Sequence, residues 1–120
     1  MLVIDDEDTA RSVAGMMLEH IGFEVLSAAG GEAGLRIFRE RSDELRLVLL
    51  DMVMPGLSGE QVFREMRRID PSIPVLLSSG YNEQEATSVF TGKGLAGFIQ
   101  KPYGLQSLTD KVRSALEPRK

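Results

Sequence analysis

The sequence predicts a doubly wound α/β domain, a five-stranded parallel sheet with helices on both faces, in strand order 2-1-3-4-5. Three observations lead there. Five short apolar runs alternate with five helix-patterned stretches at about 24 residues per unit, which implies right-handed crossovers between parallel strands. The 120 residues suffice for one buried core and fall far short of a closed eight-fold barrel. Four of the runs end on residues that carry chemistry: Asp5-Asp6, Asp51, Ser79-Gly80 and Lys101-Pro102. In an open sheet of this kind, residues just past the carboxyl ends of the strands converge on one crevice.

The elements follow in order. Residues 2–4 are fully apolar, as a central parallel strand should be. A first helix is expected over 8–20, capped by Asp8 or Thr9, with Val13, Met16, Met17 and Ile21 as its apolar stripe and Gly22 as its stop. Residues 23–27 read as the second strand. Residues 32–40 form the second helix, with Ala33, Leu35, Ile37 and Phe38 facing inward. Residues 45–50 are the strongest strand signal in the chain. The third helix, 58–68, should bury Val62, Phe63 and Met66. A fourth strand at 73–77 precedes the weakest helix, 82–90, which is rich in polar residues. The fifth strand covers 95–100. The last helix covers 105–116, with Leu105, Leu108, Val112 and Leu116 on one face.

Composition narrows the function. Net charge is −4, which argues against direct nucleic-acid binding, because phosphate backbones attract clusters of Lys and Arg. No apolar run is long enough to cross a bilayer. The absence of cysteine excludes disulfides and thiolate metal sites and is compatible with a reducing cytoplasm, the expected location. Met1 leads straight into Leu2-Val3-Ile4 with no polar lead-in, so residues 1–120 are read as a single domain cut from a longer protein.

Asp5, Asp6 and Asp51 would bring three carboxylates into the crevice. Two such charges about 4 Å apart repel by roughly 4 kcal/mol at an effective dielectric near 20, and the cluster invites a cation. Hard oxygen donors without His or Cys point to Mg2+, with Mn2+ as the substitute. Asp51 is a candidate nucleophile, since a carboxylate can attack phosphorus and form an acyl phosphate. Pro55 fixes φ in the loop that follows, and Gly59 signals close backbone packing where the next helix begins. Ser79 can donate to a phosphoryl oxygen, with Ser78 as the alternative hydroxyl. Lys101 can pair with a carboxylate and then with a phosphoryl group. Its bond to Pro102 is expected to be cis, because the strand-end lysine must be aimed back into the crevice. His20, the single histidine, falls in the last turn of a helix, where a cation suits the helix terminus, and is read as structural.

Singly, each of these motifs is an ordinary strand terminus. Together, in order and spacing, they make the whole chain resemble the receiver domain of two-component response regulators, the CheY-like family with a flavodoxin-like (βα)5 fold. The resemblance implies that Asp51 accepts a phosphoryl group from a phosphohistidine of a sensor histidine kinase or histidine phosphotransfer domain. It implies that Asp6 and Asp51 ligate Mg2+ directly with the Val53 carbonyl, while Asp5 acts mainly through water. Ser79 corresponds to the switch hydroxyl, Lys101 to the phosphate-pairing lysine and Phe98 to the switch aromatic. Phosphorylation would turn Phe98 inward and change the surface of the fourth helix and fifth strand towards a downstream output domain or protein, with a homodimer as one outcome. The domain is then a signalling phosphoacceptor rather than an enzyme, assisting its own phosphorylation and dephosphorylation, with no direct nucleic-acid or membrane contact. Val53 and Tyr81 occupy positions often polar in the family, which bears on the lifetime of the phosphorylated state. The run Leu77-Ser78-Ser79-Gly80-Tyr81 resembles receivers attached to hybrid sensor kinases more than those fused to DNA-binding domains.

Three other functions compete for the same residues. A pseudo-receiver would keep the fold as a binding module without phosphorylation, and the complete acidic set argues against it. A metal-dependent phosphatase with an aspartyl nucleophile typically pairs it with an acid two residues on, where this chain has Val53. A flavodoxin-like cofactor carrier would need a hydroxyl- or glycine-rich phosphate loop after the first strand, and none is evident.

Overall fold

A computed structural model of the chain describes residues 1–81, 84 and 94–117. Five parallel strands run in order β2-β1-β3-β4-β5: β1 (Leu2–Ile4), β2 (Leu26–Ala28), β3 (Val48–Asp51), β4 (Val75–Ser79) and β5 (Gly97–Gln100). The helices are α1 (Asp8–His20), α2 (Gly31–Arg41), α3 (Gly59–Ile69) and α4 (Leu105–Leu116), with a short 3-10 turn at Ser42–Glu44. The helix expected over 82–90 lies outside the described residues. No described helix is long and apolar enough to cross a membrane.

The sheet divides the core in two because side chains alternate along each strand. Leu2, Ile4, Val48, Leu50, Val75, Leu77 and Phe98 face α2 and α3, where Leu35, Phe38, Val62, Phe63 and Met66 complete the layer. Val3, Leu47, Leu49, Leu76 and Ile99 face α1 and α4 and meet Ala14, Leu18, Leu108 and Val112. The central strands are apolar on both faces because both faces are covered.

Local chemistry sets the helix ends. At the end of α1, the Gly22 N–H donates to the Glu19 carbonyl and the Phe23 N–H to the Leu18 carbonyl, while Gly22 takes φ +101°. This pair of bonds closes the helix, and a left-handed residue at that point favours glycine. At the start of α3, Ser58 Oγ accepts from the Gln61 N–H at 3.3 Å and Gln61 Oε1 accepts from the Ser58 N–H at 2.8 Å, a reciprocal capping box.

Several sequence expectations need correction. The N-cap of α1 is Glu7, without a side-chain bond, rather than Asp8 or Thr9. The buried face of α1 is Ala14 and Leu18, with Met17 and Ile21 half-buried, while Val13 and Met16 are exposed. The inward face of this helix is therefore not its most apolar one. In the last helix Leu105 is exposed, and Leu108 and Val112 carry the packing with Leu116 half-buried. β2, β3, β4 and β5 begin two or three residues later than expected. Leu45, Leu47 and Ile73 are buried beneath helices before their strands begin, so burial extends further than strand pairing.

Candidate functional site

The site lies at the carboxyl ends of β1, β3, β4 and β5. Asp51 is the last residue of β3 and Asp5 directly follows β1, and both are buried. Asp6, next along, is exposed. One carboxylate oxygen from each of the three lies within 4.8 Å of the others. That spacing and the all-oxygen donor set suit a single hard divalent ion such as Mg2+.

Asp5 is pinned at every polar atom. Its N–H donates to the Ala28 carbonyl of β2 at 3.2 Å. Its carbonyl accepts from Arg11 Nη1 at 2.7 Å, Oδ1 from the Glu7 N–H at 2.9 Å and Oδ2 from Lys101 Nζ at 2.8 Å. Lys101 Nζ also lies 3.3 Å from Asp51 Oδ1, so one ammonium bridges two carboxylates. Burial works against the Lys101 charge, but the bond to Asp5 and the nearby Asp51 outweigh it and hold its pKa above the ordinary lysine value. Burial also pushes the Asp51 carboxyl up to about 6, with Asp5 adding repulsion and Lys101 opposing both.

Backbone packing fixes the carrier of Asp51. The Met52 N–H donates to the Ser78 carbonyl, and the Gly59 N–H to the Met52 carbonyl. A Cβ at Gly59 would lie 2.7 Å from the Asp51 carbonyl oxygen and 2.9 Å from Met52 Cα, so α3 starts against the backbone of Asp51 itself. Pro55 and Val53 are exposed in the intervening loop and Met54 is buried. On the other side, the Lys101 N–H donates to the Ser79 carbonyl at 2.7 Å, tying the lysine to the serine's strand. The Lys101–Pro102 peptide bond is cis.

Ser79 is buried, and its Oγ accepts from the Tyr81 N–H at 3.0 Å. Accepting there leaves the hydroxyl proton free to donate elsewhere. Ser78, the alternative, is also buried and pairs in register with Asp51. Phe98 is buried, at 5% exposure, and belongs to the core beneath α2 and α3.

Sequence reasoning missed two neighbours of the site. Arg11 lies on α1, six residues after Asp5, where only its spacing from the acidic pair signalled it. Tyr103 follows Lys101-Pro102 and is half-buried, and desolvation pushes its hydroxyl up to about 12, with the Lys101 charge opposing.

The response regulator receiver domain family model matches residues 1–113. A receiver domain protein from Clostridium thermocellum superposes with a TM-score of 0.89 at 35% identity, covering 96% of this chain and 91% of that one. The receiver domain of the hybrid histidine kinase CckA superposes at 0.81 with 34% identity, covering 97% of each chain. Among curated proteins, the sensor kinase CckA of Brucella abortus is 33% identical over 117 residues, 98% of this chain and 12% of that protein. The transcriptional regulatory protein AfsQ1 of Streptomyces coelicolor is 32% identical over 116 residues, 97% of this chain and 50% of that protein. The chain thus spans half or less of the length of both curated relatives.

Proposed function

The chain belongs to the response regulator receiver domain family of two-component systems, and from that premise we propose that Asp51 is its phosphoacceptor. The observation that carries this reading is the strand-end Asp51 carboxylate. It is buried, faced by Lys101 Nζ at 3.3 Å and close to two further carboxylates.

In the proposed reaction, an Asp51 carboxylate oxygen attacks the phosphorus of a phosphohistidine on a histidine kinase or phosphotransfer protein. The new O–P bond forms as the P–N bond breaks, and the imidazole nitrogen leaves with the electron pair. With its pKa near 6, Asp51 is largely ionised at pH 7 and ready to act. Asp6 and Asp51 would hold Mg2+ or Mn2+ with the Val53 carbonyl, Asp5 acting through water, a site that would supply charge neutralisation to the transferring group. Lys101 is placed to exchange its Asp51 contact for a phosphoryl oxygen. Ser79 donates its free hydroxyl proton to another. Phosphorylation adds about −1.5 to −2 charges at Asp51, and drawing Ser79 and Lys101 towards it would pull on β4 and β5 together through the bond between their backbones. Signalling through Phe98 starts from its buried position. The kinship with CckA and with AfsQ1 supports an output in a longer protein, either a hybrid kinase or a regulator.

The test is intact-mass measurement after incubation with acetyl phosphate and Mg2+. Wild type should gain one phosphoryl group, with none in EDTA and none in Asp51→Asn. No labelling of wild type would favour a pseudo-receiver, and equal labelling of both proteins would remove Asp51 from the role.

A further inference from the structure

Arg11 is the one cation that reaches the acidic turn from α1 among the described residues. Its Nη1 donates to the Asp5 backbone carbonyl at 2.7 Å, and its Nη2 pairs with Asp8 Oδ1. Its own N–H donates to the Glu7 carbonyl at 2.9 Å, so backbone and side chain grip the same turn from both ends. The Arg11 side chain is only 19% exposed, whereas Asp8 is at the surface. Arg11 therefore spends its charge on a carbonyl and a surface acid rather than on the carboxylates of the site.

The bond matters because of what lies next to it. Asp5 is held at its N–H, its carbonyl and both carboxylate oxygens. Asp6 is exposed, and its carboxylate makes no hydrogen bond among the described residues. The peptide unit between the two residues includes the carbonyl that Arg11 holds, and rotating that unit would swing the Asp6 side chain. A planar guanidinium fixes such a unit better than an ammonium, because its donors keep a set angle to one another.

We propose that Arg11 is a positioning residue for phosphoryl transfer: by clamping the Asp5 carbonyl it fixes where Asp6 presents its carboxylate to the divalent ion. This rests on the reading that Asp6 and Asp51 hold that ion. The alternative is a field effect, and it has the opposite sign. A cation that acted on the acidic cluster only through its charge would repel the metal, so its removal would tighten binding.

The experiment is a Mn2+ titration of the full chain, with free Mn2+ read by electron paramagnetic resonance, for wild type, Arg11→Met, Arg11→Lys and Asp6→Asn. Melting curves in EDTA check that each variant folds. Partners that orient metal ligands are commonly worth ten- to a hundredfold in affinity, and Arg11 acts one bond further out. Arg11→Met and Arg11→Lys should each weaken Mn2+ binding by about three- to tenfold. The Mg2+ concentration for half-maximal labelling by acetyl phosphate should rise by the same factor, with the rate at saturating Mg2+ within about twofold of wild type. If Arg11→Met binds Mn2+ as tightly as wild type or tighter while Asp6→Asn loses affinity, the positioning role is wrong and the metal site stands. If Asp6→Asn binds normally, the metal-site reading itself falls. Should Arg11→Met fail to fold, Arg11→Lys decides: unchanged affinity there overturns the proposal, because the lysine keeps the charge.

Discussion

The two faces of the sheet are packed on different terms. On one, α2 and α3 lie so close that side chains are excluded: a Cβ at Gly34 would come within 2.5 Å of Ile4 Cδ1, and one at Gly59 within 2.7 Å of the Asp51 carbonyl oxygen. On the other, a Cβ at Gly15 of α1 would meet Val25 Cγ1 at 3.7 Å, an ordinary contact. α1 also leaves Val13 and Met16 in solvent, whereas α3 buries Val62, Phe63 and Met66. The same residue type is thus a requirement on one face and a convenience on the other. The loop after Asp51 is built against the tight face, and the turn carrying Asp6 hangs between the sheet and the looser α1.

The sharpest way to break this contrast is to put a methyl group on Gly59. Its contacts are backbone atoms that cannot rotate away, so Gly59→Ala should cost about 2–4 kcal/mol in urea unfolding and lower the labelling rate by displacing Asp51. A loss under about 0.5 kcal/mol would mean that the tight face can yield.

The second effect is electrostatic. A tightly held Asp51 cannot relax away from Asp5, and its pKa is about 6 when folded against an ordinary 3.8. The folded state therefore binds the Asp51 proton more tightly than the unfolded state. The stability this confers is fully present below pH 3.8 and is lost as pH rises through about 6. Asp51→Asn removes that loss. In EDTA its advantage over wild type should grow from near zero at pH 4 to about 1–3 kcal/mol at pH 8. Parallel stability curves for the two proteins would contradict this.

A smaller effect concerns the lifetime of the acyl phosphate. Val53 and Tyr81, 59% and 53% exposed, follow Asp51 and Ser79 by two residues. Val53 cannot orient an attacking water by hydrogen bonding, and Tyr81 is large enough to cover the phosphoryl group. First-order loss of phosphate from Val53→Asn/Tyr81→Ala, at saturating Mg2+, should be about three- to tenfold faster than from wild type, a barrier change of about 1 kcal/mol. An unchanged rate would place control of decay elsewhere.

The smallest effect closes the comparison with the opposite sign. Gly15→Ala adds a helix-favouring methyl group in open contact and should stabilise the protein by about 0.5–1 kcal/mol. Destabilisation there would show that α1 is as tightly seated as α3.

Much of this was legible in the sequence, for physical reasons that also explain the gaps. The parallel sheet followed from the alternation of runs, its strand order from the doubly wound pattern usual at this size, and the charged rim from the residues that end the runs. Gly59 was readable because it stands beside a motif, whereas Gly31 and Gly34 were not, because nothing in a helical pattern marks which residue meets Ile4 or Leu57. Strand starts were misplaced because Leu45, Leu47 and Ile73 are buried ahead of the first residues paired in register. The stripe on α1 was misread because Ala14 faces inward while the larger Val13 and Met16 do not. Arg11 escaped notice because its role depends on a backbone carbonyl, which leaves no trace in residue type.

The most direct test of the central claim locates the phosphoryl group. After labelling with acetyl phosphate and Mg2+, borohydride reduction converts an aspartyl phosphate to homoserine, which peptide mass spectrometry reads as a change of residue. Homoserine at position 51 alone is the predicted result. Homoserine at position 5 or 6, or a phosphoryl group on His20 with position 51 unmodified, would contradict it.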